Sequence, residues 1–136
     1  MATRKFPAKF TSLAEIGVFV VRQAEESGLT DEGVYAVQLA VDEACTNIIE
    51  HGYAGTSGGE IVCTCEVLFD GLRITLEDRG KFFAPDPGSA PDLKRPLSRV
   101  QRRGVGVFLM FQMMDEITYE RIGDTNRLTM FKRLAR

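Results

Sequence analysis

One histidine, His51, and three cysteines, Cys45, Cys63 and Cys65, are the only imidazole and thiol groups in the chain. A structural zinc site needs more of them at closer spacing, so no such site is expected. The cysteine number is odd, and Cys63 and Cys65 stand two apart in a strand-like run, which puts them on one face. They read as buried free thiols, which suits a reducing cytoplasm. No run of about 18 apolar residues occurs, so no transmembrane helix is expected. The opening MATRKFPAKF lacks a long apolar stretch, so no secretory signal is expected either. A basic excess is also missing: the formal charge of −2 offers no footprint for nucleic acid. What is present is 136 residues, 44% hydrophobic and 26% charged, enough for one ordinary domain spanning residues 1–136.

The pattern along the chain alternates between two periods. Phe6 to Phe10 reads as a short edge strand, with Pro7 keeping it out of a sheet interior. Ser12-Leu-Ala-Glu15 reads as a capping box, followed by apolar residues at 13, 16, 17, 20, 21 and 24. Ser27-Gly28 stops that helix. A second helix is expected from Thr30 or Asp31 to about His51, with Val34, Val37, Val41, Ala44 and Ile48 as its core stripe and Gly52 at its end. Ile61, Cys63, Cys65, Val67 and Phe69 alternate, as do Leu72, Ile74 and Leu76 beyond them, and Asp70-Gly71 between is a hairpin signal. Residues 81–103 hold four of the five prolines and a cluster of basic side chains, and they read as a long loop. A helix from about Gly104 to Asp115, a strand over 116–121, a turn at Gly123-Asp124 and a strand over 127–134 complete the order. That order predicts an α/β two-layer sandwich, a mostly antiparallel sheet covered on one face by helices.

Three segments carry candidate chemistry. On the second helix, Ala36, Ala40, Glu43, Asn47 and His51 fall in one arc. Glu43 and Asn47, four apart, are neighbours on its surface. A carboxylate beside an amide can hold a hydroxyl or water, and an amide oxygen is a hard-cation ligand. The same arc is also what a solvated polar face looks like. Glu77-Asp78-Arg79-Gly80 closes the return strand. Its acid can accept from an amino group, and its glycine can let a flat ring approach the backbone; a hairpin exit with Asp and Gly is also common without any such role. Arg102-Arg103-Gly104-Val105-Gly106-Val107 opens the third helix, where free amides and the helix dipole favour phosphate. It is neither a Walker loop nor a Rossmann fingerprint.

In that order the three segments resemble the GHKL, or Bergerat-fold, ATP-binding superfamily. Within it the chain resembles the serine/threonine kinases that act as bacterial anti-sigma factors. The resemblance runs from Phe6 to Lys132 and includes DEACTNIIEHGY, LEDRGKFFAP, GVGVFLMFQMMDEITYE and NRLTMFKR. It implies ATP and Mg²⁺ as cofactors, with Asn47 on the metal and Glu43 as the catalytic base. It puts Asp78 on the adenine amino group, with Gly80 supporting the pocket and Thr129 nearby. Arg103, Gly104, Val105, Gly106 and Val107 are assigned to the phosphates, and 81–103 to the ATP lid. His51 matches the end of the helix motif without a clear role. The resemblance departs at Phe82, where many members carry a second glycine, and at Ala84, where an acid is usual. The implied partners are an anti-anti-sigma (STAS-domain) protein as substrate, a sigma factor, and a second copy in a homodimer. Neither nucleic acid nor a membrane is among them. A non-catalytic, ATP-gated binding module, or a kinase whose output is not a sigma factor, fits the same residues.

Overall fold

The computed structural model describes residues 1–54, 58–82 and 99–135, the side chains of 99–105 excepted. Strand β1 (Ala2–Pro7) leads through a short 3₁₀ turn (Phe10–Ser12) into α1 (Leu13–Glu26). Next come α2 (Asp31–Asn47), a π turn (Ile48–Gly52), β2 (Glu60–Leu68) and β3 (Gly71–Asp78). Then follow α3 (Arg99–Met113), β4 (Glu116–Ile122) and β5 (Thr125–Arg133). The five strands form one sheet in the order β1-β2-β3-β5-β4, antiparallel throughout. This is the expected two-layer architecture. Period-2 alternation puts Phe6, Ile61, Cys63, Cys65, Leu72, Ile74, Leu76, Leu128 and Met130 on the inner face, where all are buried. Ile16, Val20 and Ala24 of α1 and Val37, Val41, Ala44 and Ile48 along the second helix complete this core. The three cysteines are free and buried, and burial pushes the Cys45 thiol far up. No helix among the described residues is long and apolar enough to cross a membrane.

Four local expectations need correcting. The first strand lies earlier than Phe6–Phe10: Ala2–Pro7 pairs with β2, and Phe10 begins a 3₁₀ turn instead. Ser12 does not cap α1. The 3₁₀ turn already holds it in helical geometry, with its N–H on the Lys9 carbonyl, whereas a capping residue needs an extended backbone. Thr30 does cap α2, its Oγ1 accepting from the Gly33 N–H at 3.1 Å. The β2–β3 loop is Phe69-Asp70, closed by the Leu68–Gly71 pair. Gly71 therefore belongs to β3, where a Cβ would run into the Lys132 carbonyl and the Phe131 ring. Finally, α3 begins at Arg99 rather than Gly104. Residues 99–103 contain neither proline nor glycine, and their helix propensity carries the helix upstream through the two glycines that follow. Residues 83–98 of the expected lid lie outside the described residues.

Gly71→Ala should be costly. The obstructing atom is a β5 carbonyl, which cannot retreat without breaking the β3–β5 ladder. Overpacking of this kind costs roughly 1–3 kcal/mol. Denaturant unfolding should show a lower midpoint with an unchanged slope; an unchanged midpoint would mean the ladder gives way freely.

Candidate functional site

The site begins where α2 changes its winding. Asn47 ends the α-helix, and the π turn that follows is closed by Tyr53 N–H donating to the Ile48 carbonyl at 3.0 Å. Such wide turns are rare and frequent at functional sites. This one carries the chain across to the exit of β3, where Lys81 N–H donates to the Gly52 carbonyl at 2.6 Å. Backbone meets backbone there: any Cβ on Gly80 would collide with the Gly52 peptide. Gly80 thus permits a close approach, as expected, but the partner is the π turn. Tyr53 fastens the same corner, donating from its hydroxyl to the Glu60 carbonyl and accepting from Arg79 N–H, both at 2.8 Å.

Asp78 ends β3 on the inner face and is buried. Its Oδ1 accepts from Gly80 N–H and from Asn126 Nδ2, each at 2.9 Å. Asn126, opposite Asp78 in the β3–β5 register, is wholly buried. Its Nδ2 also donates to the Gly80 carbonyl at 2.9 Å, and its Oδ1 accepts from Arg121 at 2.7 Å. Burial raises the Asp78 carboxyl above the usual range, opposed by Asn126, Gly80 N–H and the Arg121 charge. Asn47 and Asp78 meet at one small cavity of about 10 Å³, walled by Ala44, Ile48, Gly52, Lys81, Tyr119 and Leu128. That is room for about one water, so a flat ring can enter only if the walls part. His51 lies outside it, on a wider cleft of about 520 Å³ with Glu50, Arg79, Lys81 and Phe82.

Glu43 stands one turn before Asn47, half-buried and beneath α3. Gly106 lies so close that a Cβ there would overlap the Glu43 carboxylate. Burial, then the charges of Asp42 and Glu50, push the Glu43 carboxyl up. The structure therefore brings Glu43 together with Gly106, Asn47 together with Asp78, and Gly80 onto Asp78 and the π turn.

Two expectations do not hold. Thr129 was expected near the adenine, but it pairs with Thr75 and Thr118 on the outer face of the sheet. There it joins Thr64 and Thr3 in a row of threonines across all five strands. The inner-face residue is its neighbour Leu128, which walls the cavity; a slip of one residue changes face. Gly104 and Gly106 lie past the first turn of α3, so their amides are committed to helical carbonyls rather than free for phosphate. Val107 is buried, and the side chains of Arg102, Arg103 and Val105 lie outside the described residues. Sequence reasoning missed Asn126 and Arg121. The available signal was a polar residue at the inward position of the alternation Asn126, Leu128, Met130.

The residues fit a metal-bound nucleotide. Asn47 Nδ2 is buried with no hydrogen-bond partner among the described residues. Leaving such a group unpaired costs about 1–3 kcal/mol, and a ligand at the amide would relieve it. No cluster of three or more His, Cys, Asp or Glu suited to a metal occurs among the described residues. One amide oxygen beside a carboxylate suits Mg²⁺, whose remaining ligands are phosphate oxygens and water.

Residues 6–132 match the family described as histidine kinase-like ATPase domain. The chain is 29% identical over 117 residues to the serine-protein kinase RsbW of Bacillus cereus (strain AH187), spanning 83% of this chain and 72% of that protein. The figures are the same for the RsbW of Bacillus mycoides (strain KBAB4). In fold, it superposes on the crystal structure of the RsbU and RsbW domains of a Mycobacterium tuberculosis protein, with TM-score 0.68 and 17% identity. All of this chain is covered, and 33% of that one. A blue-light activated histidine kinase of Erythrobacter litoralis superposes with TM-score 0.59 and 18% identity, over 87% of this chain and 41% of that one.

Proposed function

The chain belongs to the histidine kinase-like ATPase domain family, and on that premise we propose that it is an ATP- and Mg²⁺-dependent serine/threonine protein kinase acting as an anti-sigma factor in the cytoplasm. Its substrate is an anti-anti-sigma (STAS-domain) protein, its alternative partner is a sigma factor, and it works as a homodimer. The observation that carries the reading is the convergence of Asn47 and Asp78, from a helix and a strand, on one cavity with Glu43 a turn away. The RsbW relatives support the choice of activity.

Phosphoryl transfer asks an enzyme for positioning, charge neutralisation and orientation of the nucleophile. Asp78 holds the adenine amino group through its carboxylate. Asn47 holds the metal through its amide oxygen. Glu43, its carboxyl raised by burial, takes the proton of the attacking serine hydroxyl. Mg·ATP, when bound, supplies the phosphoryl group and the cation that balances its charge. Contact from the Gly104 and Gly106 amides requires the first turns of α3 to unwind, which would also lift Gly106 off Glu43.

Calorimetry tests the nucleotide half. Wild type should bind ADP and ATP with Mg²⁺ dependence. Asn47→Ala should lose most of that dependence, and Asp78→Asn should weaken every adenine nucleotide. A wild type without measurable adenine-nucleotide binding would end the reading. Transfer of labelled phosphate to the cognate STAS protein tests the other half. A wild type that binds that protein with ATP but transfers nothing is an ATP-gated binding module.

A further inference from the structure

Asn126 is fully buried, polar and on the inner face, yet nothing in the reaction just described uses it. Its amide is satisfied on both sides in a way that allows one orientation. Nδ2 points at two oxygens, Asp78 Oδ1 and the Gly80 carbonyl, so both of its hydrogens are placed. Oδ1 points at the Arg121 guanidinium. Turning the amide over would set oxygen against two oxygens and an NH₂ against a cation. Arg121, reaching back from β4 with its end exposed, therefore fixes which way Asn126 faces, and Asn126 in turn fixes Asp78.

The consequence falls on the carboxylate. With Gly80 N–H and Asn126 Nδ2 both donating to Oδ1, that oxygen is held by two bonds from two directions, and the carboxyl plane cannot rotate. Oδ2 is left without a protein donor among the described residues. We propose that Asn126, oriented by Arg121, is a specificity-determining positioning residue that makes the pocket select a 6-amino purine over a 6-oxo purine. A pinned carboxylate oxygen accepts from an amino group and repels a carbonyl oxygen in the same place. Sites built around a buried polar group reject a mismatched partner strongly because the group is left unpaired. An unpinned carboxylate can turn aside, or admit a water between, and the repulsion is relieved. Asn126 does this without touching the base, through Asp78.

The inference rests on the nucleotide reading above, and the experiment separates the two. Mg·ATP and Mg·ITP, which differ in the 6-amino and 6-oxo groups, are titrated calorimetrically into wild type, Asn126→Leu, Arg121→Met and Asp78→Asn. Wild type should prefer ATP by about 10²-fold or more. Asn126→Leu keeps the branched shape of the buried side chain, at a somewhat larger volume, and removes all three of its hydrogen bonds. The ATP:ITP ratio should fall at least about tenfold, with ITP affinity unchanged or improved. Arg121→Met should lower the ratio in the same direction by less; its exposed side chain makes the variant informative even if Asn126→Leu does not fold. Asn126→Leu combined with Asp78→Asn should give the ratio of Asp78→Asn alone, because coupled residues are not additive. A merely structural Asn126 would weaken both nucleotides together and leave the ratio intact, and that result in both variants overturns the proposal. A wild type that binds neither nucleotide overturns the nucleotide reading instead.

Discussion

Glu43→Ala is expected to slow phosphate transfer by about 10²–10⁴-fold, the usual worth of a general base, while Mg·ATP affinity stays close to normal. The separation follows from position. Asn47 and Asp78 wall the cavity and Glu43 does not; it lies one helical turn back, with Gly106 against its carboxylate. Truncating it removes no group that the nucleotide rests on. The same burial and acidic neighbours that raise its pKa make it a better base near neutral pH than a solvated glutamate. The working form is the ionised one. Wild-type transfer should therefore rise with pH through an apparent pKa above the ordinary glutamate value of 4.5, and that limb should vanish in the mutant. Labelled-ATP transfer to the proposed STAS-domain partner, run beside nucleotide titration, measures both. A mutant with the normal rate would take Glu43 out of the chemistry.

Gly80→Ala should abolish nucleotide binding and lower stability together. The added methyl meets the Gly52 carbonyl, carbon and Cα, which belong to a backbone already tied to Lys81 N–H. Neither side can yield as a side chain would. Relief comes only by parting the π turn from the end of β3, and that shifts Asp78 relative to Asn47. Overpacking against backbone costs about 2–3 kcal/mol, or roughly 5–10 °C in melting temperature for a domain of this size. Binding should fall further than stability alone predicts, because Gly80 N–H and its carbonyl both belong to the network that holds Asp78. Differential scanning calorimetry with and without Mg·ATP separates the two effects: the mutant should melt earlier and gain nothing from nucleotide. A full nucleotide-dependent shift in the mutant would show that the Gly52–Gly80 contact is dispensable.

The features legible in the sequence share a cause: each is written in a local period or a local turn. The inner row Leu72, Ile74, Leu76, the core stripe of the second helix and the stop at Gly28 follow from side-chain periodicity and from a glycine φ of 88°. Glu43 and Asn47 as neighbours followed from helix geometry alone. What escaped depends on register between distant segments. Thr129 and Leu128 differ by one position, and the pairing of Leu76 with Leu128 fixes which one looks inward. Asn126 gains meaning only because the ladder puts it opposite Asp78, 48 residues away. The start of α3 at Arg99 is hidden in the sequence for another reason. Two glycines suggested a helix opening, but the residues before them are good helix formers, and a helix tolerates glycine at about 1 kcal/mol each.

The order of strands in the sheet also sets when the protein becomes competent. Two of its pairings, β2 with β3 and β4 with β5, are hairpins that close on microsecond scales. The seam between β3 and β5 joins them across a long stretch of chain, and such non-local pairing is slow. The pocket straddles that seam, with Asp78 on one hairpin and Asn126 and Leu128 on the other. During synthesis the helix with Glu43 and Asn47, and the whole β2–β3 hairpin, leave the ribosome before β5 exists. Until β5 arrives, β3 has a bare edge of unpaired N–H and C=O groups, open to pairing with another chain. A nascent molecule of this protein is thus at its most aggregation-prone just before it can first hold a nucleotide, and one strand ends both conditions.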